Sequence, residues 1–244
     1  MDIRDLQIAI LAGGLGTRLR SACPDHPKVL APVAGRPFLA YLLDQVALAG
    51  ATDVLLLTGH QGDLVQRLFG ASYQGLQLTY SREPAPRGTA GALAQARPLL
   101  RASTLLLLNG DSYFDIDLDV LHRFHTCHQS QVSLALKHVD DTQRYGAVRL
   151  TRRQQVIDFL EKDAAGGPGW INGGVYLLEP ALIAAIPQHR PVSLEREILP
   201  AWVARGQVFG LPASGPFLDI GTPESYARAE TFFQLAQGAL EHAR

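Results

Sequence analysis

Leu6-Gln7-Ile8-Ala9-Ile10-Leu11-Ala12-Gly13-Gly14-Leu15-Gly16-Thr17-Arg18-Leu19 is the stretch from which the fold is read. Leu6 to Leu11 is an apolar run too short for a helix and rich in Ile and Leu, which predicts a buried parallel strand with the glycines at its end. Glycine there permits positive φ and lets a phosphate approach backbone N–H groups, while Arg18 and, ten residues on, Lys28 bring positive charge. That combination asks for a polyphosphate. It is not a Walker A sequence, because the lysine is in the wrong place, and not a dinucleotide fingerprint, because Leu19 stands where the third glycine should be. An ordinary tight turn is the alternative reading of the glycines taken alone.

Working outward, strands alternate with helices. Phe38, Leu39, Leu42, Leu43, Val46 and Ala47 recur at helical spacing, with Pro37 suited to the first turn and Gly50 to the stop. Asp53 to Thr58 reads as a second buried strand, followed by a short helix with Leu64, Val65, Leu68 and Phe69 on one face. Leu76 to Ser81 alternates apolar and polar residues, and Ser103 to Leu108 is the most apolar strand, stopping at Asn109-Gly110-Asp111. This pattern predicts an α/β fold with a mostly parallel sheet and right-handed crossovers.

From Gln131 the texture changes. Val132 to Lys137, Ala147 to Leu150, Val156 to Leu160 and Trp170 to Leu178 read as strands separated by turns, a small antiparallel addition overhanging the same sheet edge. Before it, Asp117 caps a helix running to about Gln129, with Leu118, Leu121 and Phe124 or His125 as its stripe. Its His122, His125, Cys127 and His128 put no three ligands on one face and are read as a polar surface. Later, a helix is expected around Leu194 to Ala204. A final helix is capped by Thr222, opened by Pro223, and turns Tyr226, Phe232 and Phe233 inward.

The whole chain sets bounds. With 244 residues and 47% hydrophobic content there is material for a sizeable core, and a single domain is the default. Twenty-two basic against 23 acidic residues give a net charge of −1, so no global field attracts nucleic acid or an acidic membrane. Met1 to Asp5 lacks a basic leader and an apolar core, no run approaches the ~20 apolar residues of a membrane span, and Cys23 and Cys127 form no framework. A cytoplasmic protein acting on small molecules is expected; its oligomeric state is not legible.

In an open parallel sheet, ligands sit beyond the carboxyl ends of the strands. The Pro/Gly-rich loop Arg82 to Ala92 and the tip Asn109-Gly110-Asp111 both lie there. Asp111 is either a turn residue or a ligand for a hard cation, since Mg²⁺ takes one or two carboxylates plus phosphate oxygens. Glu195 is either a first-turn carboxylate or a substrate contact.

Gly13-Gly14-Leu15-Gly16-Thr17-Arg18-Leu19 followed by Pro27-Lys28-Val29-Leu30-Ala31-Pro32-Val33-Ala34-Gly35-Arg36-Pro37 resembles the signature of the sugar-1-phosphate nucleotidyltransferases. Ser21-Ala22-Cys23-Pro24-Asp25-His26 departs from the connector common in that family without touching the Arg or the Lys. The resemblance covers nearly the whole chain and implies a Rossmann-like mixed sheet flanked by helices. It implies a nucleotide-binding part at about 1–130, a sugar-binding part at about 131–222 and a C-terminal helix over 223–244. No hexapeptide repeat follows, so a β-helical acyltransferase domain is not expected.

By the same resemblance, Leu11, Ala12, Gly13, Gly14, Gly16 and Thr17 hold the triphosphate, with Gly110 at the neighbouring strand tip. Glu83, Gly88 and Thr89 belong to the base-binding loop. Arg18, Lys28, Asp111 and Lys162 carry the chemistry, and Asp111 and Asp219 hold Mg²⁺. Gly146, Glu161, Asn172, Gly173 and Glu195 meet the sugar. The implied reaction is attack of an already ionised sugar 1-phosphate on the α-phosphorus of a nucleoside triphosphate, with pyrophosphate leaving. The expected pair is GTP and a heptose 1-phosphate, on Leu134 to Lys137, Arg144 to Gly146 and Trp170 to Leu178. Mannose 1-phosphate with GTP, or muramate or glucose 1-phosphate with UTP or dTTP, stay open. A nucleotide-sugar-binding regulatory module is the alternative of another class.

Overall fold

The computed structural model describes residues 3–14, 16, 19, 22–23, 26–160 and 166–242, with only the backbone of Asp5 and of 236–242. The first strand is β1, Gln7–Ala12. A buried 3-10 turn, Lys28–Leu30, leads to the small antiparallel pair β2, Pro32–Val33, and β3, Arg36–Pro37. Helix α1, Phe38–Leu48, has Pro37 at its N-cap and is followed by Gly50 at φ +93°. Next come β4 (Asp53–Thr58), α2 (Gly62–Phe69), β5 (Ser72–Tyr73), β6 (Leu76–Arg82), α3 (Gly88–Ala96) and β7 (Leu105–Asn109). The expected βα alternation is present.

A short strand, β8 (Ser112–Phe114), and α4 (Leu118–Cys127) follow. The turn-rich part supplies β9 (Val132–Val139), β10 (Ala147–Leu150), β11 (Val156–Leu160) and β12 (Gly169–Leu178). The chain closes with α5 (Pro180–Ala184), α6 (Leu199–Ala204), β13 (Val208–Ala213), β14 (Phe217–Asp219), α7 (Pro223–Ala227) and α8 (Ala229–His242).

Among the described residues the main sheet has ten strands, in the order β11-β10-β12-β7-β1-β4-β6-β5, with β9 on β12 and β13 on β9. β1 pairs in parallel with β4 and β7, and β4 with β6, so four carboxyl ends share one edge. Alternation along these strands feeds two cores. Ile8, Ile10, Leu106 and Leu108 pack on one face with α1 and Phe233; Ala9, Leu105 and Leu107 pack on the other with Leu93 of α3 and Trp202 of α6.

β12 joins the two parts. Its C-terminal half runs antiparallel to β7, and its other edge pairs with β9. Between Asn172 and Tyr176 the β9 register shifts, and Gly173 and Gly174 fill the bulge. A Cβ on Gly173 would stand 2.4 Å from the Phe114 ring, and one on Gly174, at φ +75°, 2.4 Å from Ser112 Oγ. The two glycines therefore let β8 press against the bulge, which re-aims Asn172.

The structure corrects four expectations. Leu68 is 57% exposed because its helix is only two turns long and Val65 and Phe69 already fill the contact with the sheet. The expected helix over 194–204 begins as a π-helical turn, Leu194–Ile198, before α6. The final helix is broken at Arg228, so Phe233 reaches the core on α8 while Tyr226 belongs to α7. His122 and His125 are buried, not surface groups.

His125 Nδ1 lies 2.9 Å from Ser133 Oγ and 3.1 Å from Ser130 Oγ, between α4 and β9. Burial first, and then the neighbouring His122, pull its pKa down to about 4. The folded protein therefore keeps a neutral imidazole where the unfolded chain takes a proton near pH 6.5. The stabilisation is complete above pH 6.5 and is lost as pH falls toward 4, by on the order of 3 kcal/mol. Urea unfolding of the wild-type protein should show this loss, and His125→Asn should flatten it; equal slopes would refute the assignment.

Candidate active site

Two cavities open on the sheet edge where β1, β4, β6 and β7 end. The first, about 400 Å³, is lined by Gly13, Gly14 and Gly16 after β1, Glu83 after β6, Gly88 and Thr89 at the start of α3, and Asn109 to Asp111 at the tip of β7. The second, about 370 Å³, is lined on the antiparallel side by Arg144, Tyr145, Asn172 and Asp219. Lys28, Asn109 and Asp111 line both.

The first cavity exists because backbones approach closely. A Cβ on Gly13 would stand 3.0 Å from Gly59 N at the β4 end, and one on Gly110 2.2 Å from the Leu11 carbonyl, which accepts the Gly110 N–H at 3.0 Å. Among the described residues nothing stands within 4 Å of a Cβ on Gly14, and Gly16 has φ +59°. Leu11 lines the wall, whereas Ala12 is buried in the core.

The α3 entry is tied to a distant segment. The Val192 carbonyl accepts from Ala90 N (3.0 Å) and Gly91 N (3.2 Å), and Val192 N donates to the Arg87 carbonyl (2.7 Å). Thr89 Oγ1 donates to Glu195 Oε2 at 2.7 Å and accepts from Leu194 N at 2.8 Å. Glu195 thus faces the first cavity, and burial pushes its carboxyl up despite hydrogen bonds from Thr89 and Ser193. Burial also raises the Glu83 carboxyl, partly offset by the Arg87 backbone N–H, and Glu83 Oε1 has no hydrogen-bond partner among the described residues.

The junction is charged. Lys28, whose side chain is 9% exposed, donates from Nζ to Asp111 Oδ2 at 2.6 Å. β14 pairs with β8, Asp219 opposite Ser112, and Ile220 N donates to the Asp111 carbonyl at 2.9 Å, which brings both aspartates to one cavity. Beside them, a Cβ on Gly221 would stand 2.7 Å from Asp219 Oδ1 and 3.6 Å from Lys28 Nζ. Among the described residues no third His, Cys, Asp or Glu completes a metal cluster. Two carboxylates on an open cavity suit a hard divalent cation that fills its shell with water and substrate oxygens.

Such a junction, between a glycine-cradled cavity and a second polar one, is the arrangement a phosphate-transferring enzyme needs. The sequence matches the nucleotidyl transferase family over residues 8–235. The chain belongs to that family. This nucleotidyl transferase is 34% identical to D-glycero-alpha-D-manno-heptose 1-phosphate guanylyltransferase of Aneurinibacillus thermoaerophilus, over 94% of this chain and 99% of that protein. It is 38% identical to mannose-1-phosphate guanylyltransferase of Mycobacterium tuberculosis over 93% of this chain, but spans only 64% of that protein's length. Among solved structures, HddC from Yersinia pseudotuberculosis superposes with a TM-score of 0.83 at 30% identity, covering 93% of this chain and 99% of that one. The same protein complexed with GMP-PN gives a TM-score of 0.82.

For the nucleotidyl transferase, the expected site residues divide clearly. Lys28, Asp111, Glu83, Gly88, Thr89 and Glu195 meet in the first cavity, and Asn172 and Asp219 face the second. Thr17, Arg18, Glu161 and Lys162 lie outside the described residues. Gly173 packs in the bulge, and Gly146 follows Tyr145 on the loop beside the second cavity. Sequence reasoning singled out the stretches that hold Asn109 and Tyr145 but gave neither residue a role; Asn109 donates to the buried Tyr176 hydroxyl (3.3 Å) and Tyr145 to Asp219 (2.7 Å). Position alone was the available signal: Asn109 stands two residues before Asp111 at a strand tip.

Proposed function

We propose that this chain transfers a guanylyl group from GTP to D-glycero-α-D-manno-heptose 1-phosphate, releasing pyrophosphate and forming GDP-heptose. The observation that carries the reading is the pair of cavities of similar size meeting at Lys28, Asn109 and Asp111. A donor nucleotide and an acceptor phosphate seated one in each would face each other across one charged wall. The guanylyltransferase names of the relatives and the GMP-PN complex of HddC support the base. The end-to-end match to the heptose enzyme supports the sugar.

In this reading a phosphate oxygen of the acceptor forms a bond to the α-phosphorus as the bond to pyrophosphate breaks. The acceptor is ionised at neutral pH, so no side chain has to remove a proton. Lys28 neutralises the α-phosphate, Arg18 and the loop N–H groups of Gly13 to Thr17 receive the pyrophosphate, and Lys162 holds the incoming phosphate. Glu83, Gly88 and Thr89 form the base-binding loop. Gly146, Glu161, Asn172 and Gly173 belong to the sugar side, and Glu195 is read as a further sugar contact made from the wall of the first cavity, where Thr89 holds it. The family implies a divalent cation; Mg²⁺, held by Asp111 and Asp219, would supply charge neutralisation for the phosphates. Residues 1–244 act as one nucleotidyltransferase domain in the cytoplasm. No helix among the described residues is long and apolar enough to cross a membrane.

Pyrophosphate release with Mg²⁺ tests the proposal, crossing GTP, UTP, dTTP, CTP and ATP against heptose, mannose, glucose and N-acetylmuramate 1-phosphates. GTP with the heptose is expected to give the highest kcat/KM. Preference for another pair would replace the substrate and leave the chemistry; silence across the grid would refute the reading.

A further inference from the structure

The second cavity contains a group that the reaction above does not use. The Tyr145 hydroxyl donates to Asp219 Oδ2 at 2.7 Å. Arg144 Nη2 stands 3.7 Å from the same oxygen and 3.2 Å from Thr222 Oγ1. The other oxygen, Oδ1, accepts from Gly221 N at 2.8 Å and from Ser225 Oγ at 3.4 Å. A carboxylate has about four lone-pair sites, so donors can fix its plane and still leave a lone pair for another ligand. Oδ1 is held from its own turn, whereas Oδ2 is held from the sugar side.

Tyr145 is itself fixed in place. Its N–H donates to the Thr142 carbonyl at 2.9 Å, and its ring meets Phe217 edge-on at 6.0 Å between centroids. Asp141 Oδ1 accepts from Gln143 N at 3.0 Å and Gly167 N at 3.2 Å, and Thr142 N donates to the Gly167 carbonyl at 3.0 Å. Residues 141–145 are thereby tied to Gly167. The loop is built as an arm whose tip is the Tyr145 hydroxyl.

We propose that Tyr145 is a positioning residue for Asp219, fixing the carboxylate plane in which a divalent cation meets it and linking the cation site to the acceptor-side loop. The inference rests on the reading that Asp219 holds the cation. Hydrogen-bonded partners of metal ligands commonly govern affinity by ~10–100-fold. Tyr145→Phe removes one hydroxyl and keeps the ring on Phe217. Mn²⁺ binding to the full-length protein, read from loss of the free-ion paramagnetic resonance signal, is expected to weaken about tenfold. The Mg²⁺ concentration for half-maximal activity should rise by the same factor, while kcat at saturating Mg²⁺ falls less than about threefold, the pattern of a lost orienting partner.

Unchanged Mn²⁺ affinity would overturn the proposal. So would a raised KM for the sugar phosphate at saturating Mg²⁺ with the cation response unchanged, because that marks a direct sugar contact. A thermal unfolding midpoint equal to wild type shows that the variant is folded. Failure of the underlying reaction is read separately, since wild-type protein that binds Mn²⁺ but releases no pyrophosphate refutes the transferase reading and leaves the Tyr145 comparison intact.

Discussion

Lys28→Ala is expected to lower kcat by about 10²–10³-fold, the loss typical of removing one preorganised donor from a developing charge. Lys28 is placed by a buried 3-10 turn that follows Pro27, and its side chain is packed so closely that a Cβ on Gly16 would touch Lys28 Cβ at 3.1 Å. The ammonium is therefore aimed before substrate arrives, and its low exposure makes the charge act through little water. Removing it also takes away the 2.6 Å partner of Asp111. Asp111 is 45% exposed, so water solvates it and the fold loses little. Steady-state pyrophosphate release and thermal unfolding together check the point. A kcat within tenfold of wild type, or a collapse in stability, would show that Lys28 serves structure instead.

Gly88→Ala is expected to damage both stability and nucleotide affinity. Gly88 sits at φ +73°, and a Cβ would stand 2.4 Å from the Val192 carbonyl oxygen. The backbone conformation costs an L-residue about 1–3 kcal/mol. Relieving the overlap pushes away the carbonyl that accepts from Ala90 and Gly91, at about 0.5–1.5 kcal/mol for each hydrogen bond. A total of about 2–6 kcal/mol follows, which for a chain of this size lowers Tm by roughly 4–24 °C. Because Gly88 and Thr89 line the first cavity, the same shift loosens its wall, and KM for GTP should rise more than KM for the sugar phosphate. A Tm within 2 °C of wild type, on the order of the effect of a minor surface change, would mean that the Val192 segment yields freely.

Much of this architecture is local and was legible. The apolar runs of β1, β4 and β7 and the alternation of β6 were read within a residue or two of their observed limits, because a strand's burial is written in its own period. Asp117 accepts from Val120 N, and Thr222 forms a capping box with Ser225, since caps need only residues a turn away. The glycine turn after β1 was legible for the same reason, as glycine spacing after a strand records what the backbone must do.

Contacts between distant residues were not. Thr89 and Glu195 are separated by 106 positions, Lys28 and Asp111 by 83, and Tyr145 and Asp219 by 74. His125 falls on the stripe of Leu118 and Leu121, yet its own helix does not say what receives the imidazole, because the serine at 133 belongs to β9. Leu68 shows the converse, an apolar residue with helical spacing that finds no surface to cover. The sequence by itself determined the alternating α/β order, the strand tips and the family resemblance, because these depend on local period and backbone freedom. Only the tertiary structure decided which tips meet, that β14 docks on β8 to place Asp219 beside Asp111, and that Tyr145 and Glu195 are held at their posts. Those pairings arise when the chain closes into one sheet, and no local pattern records the partner.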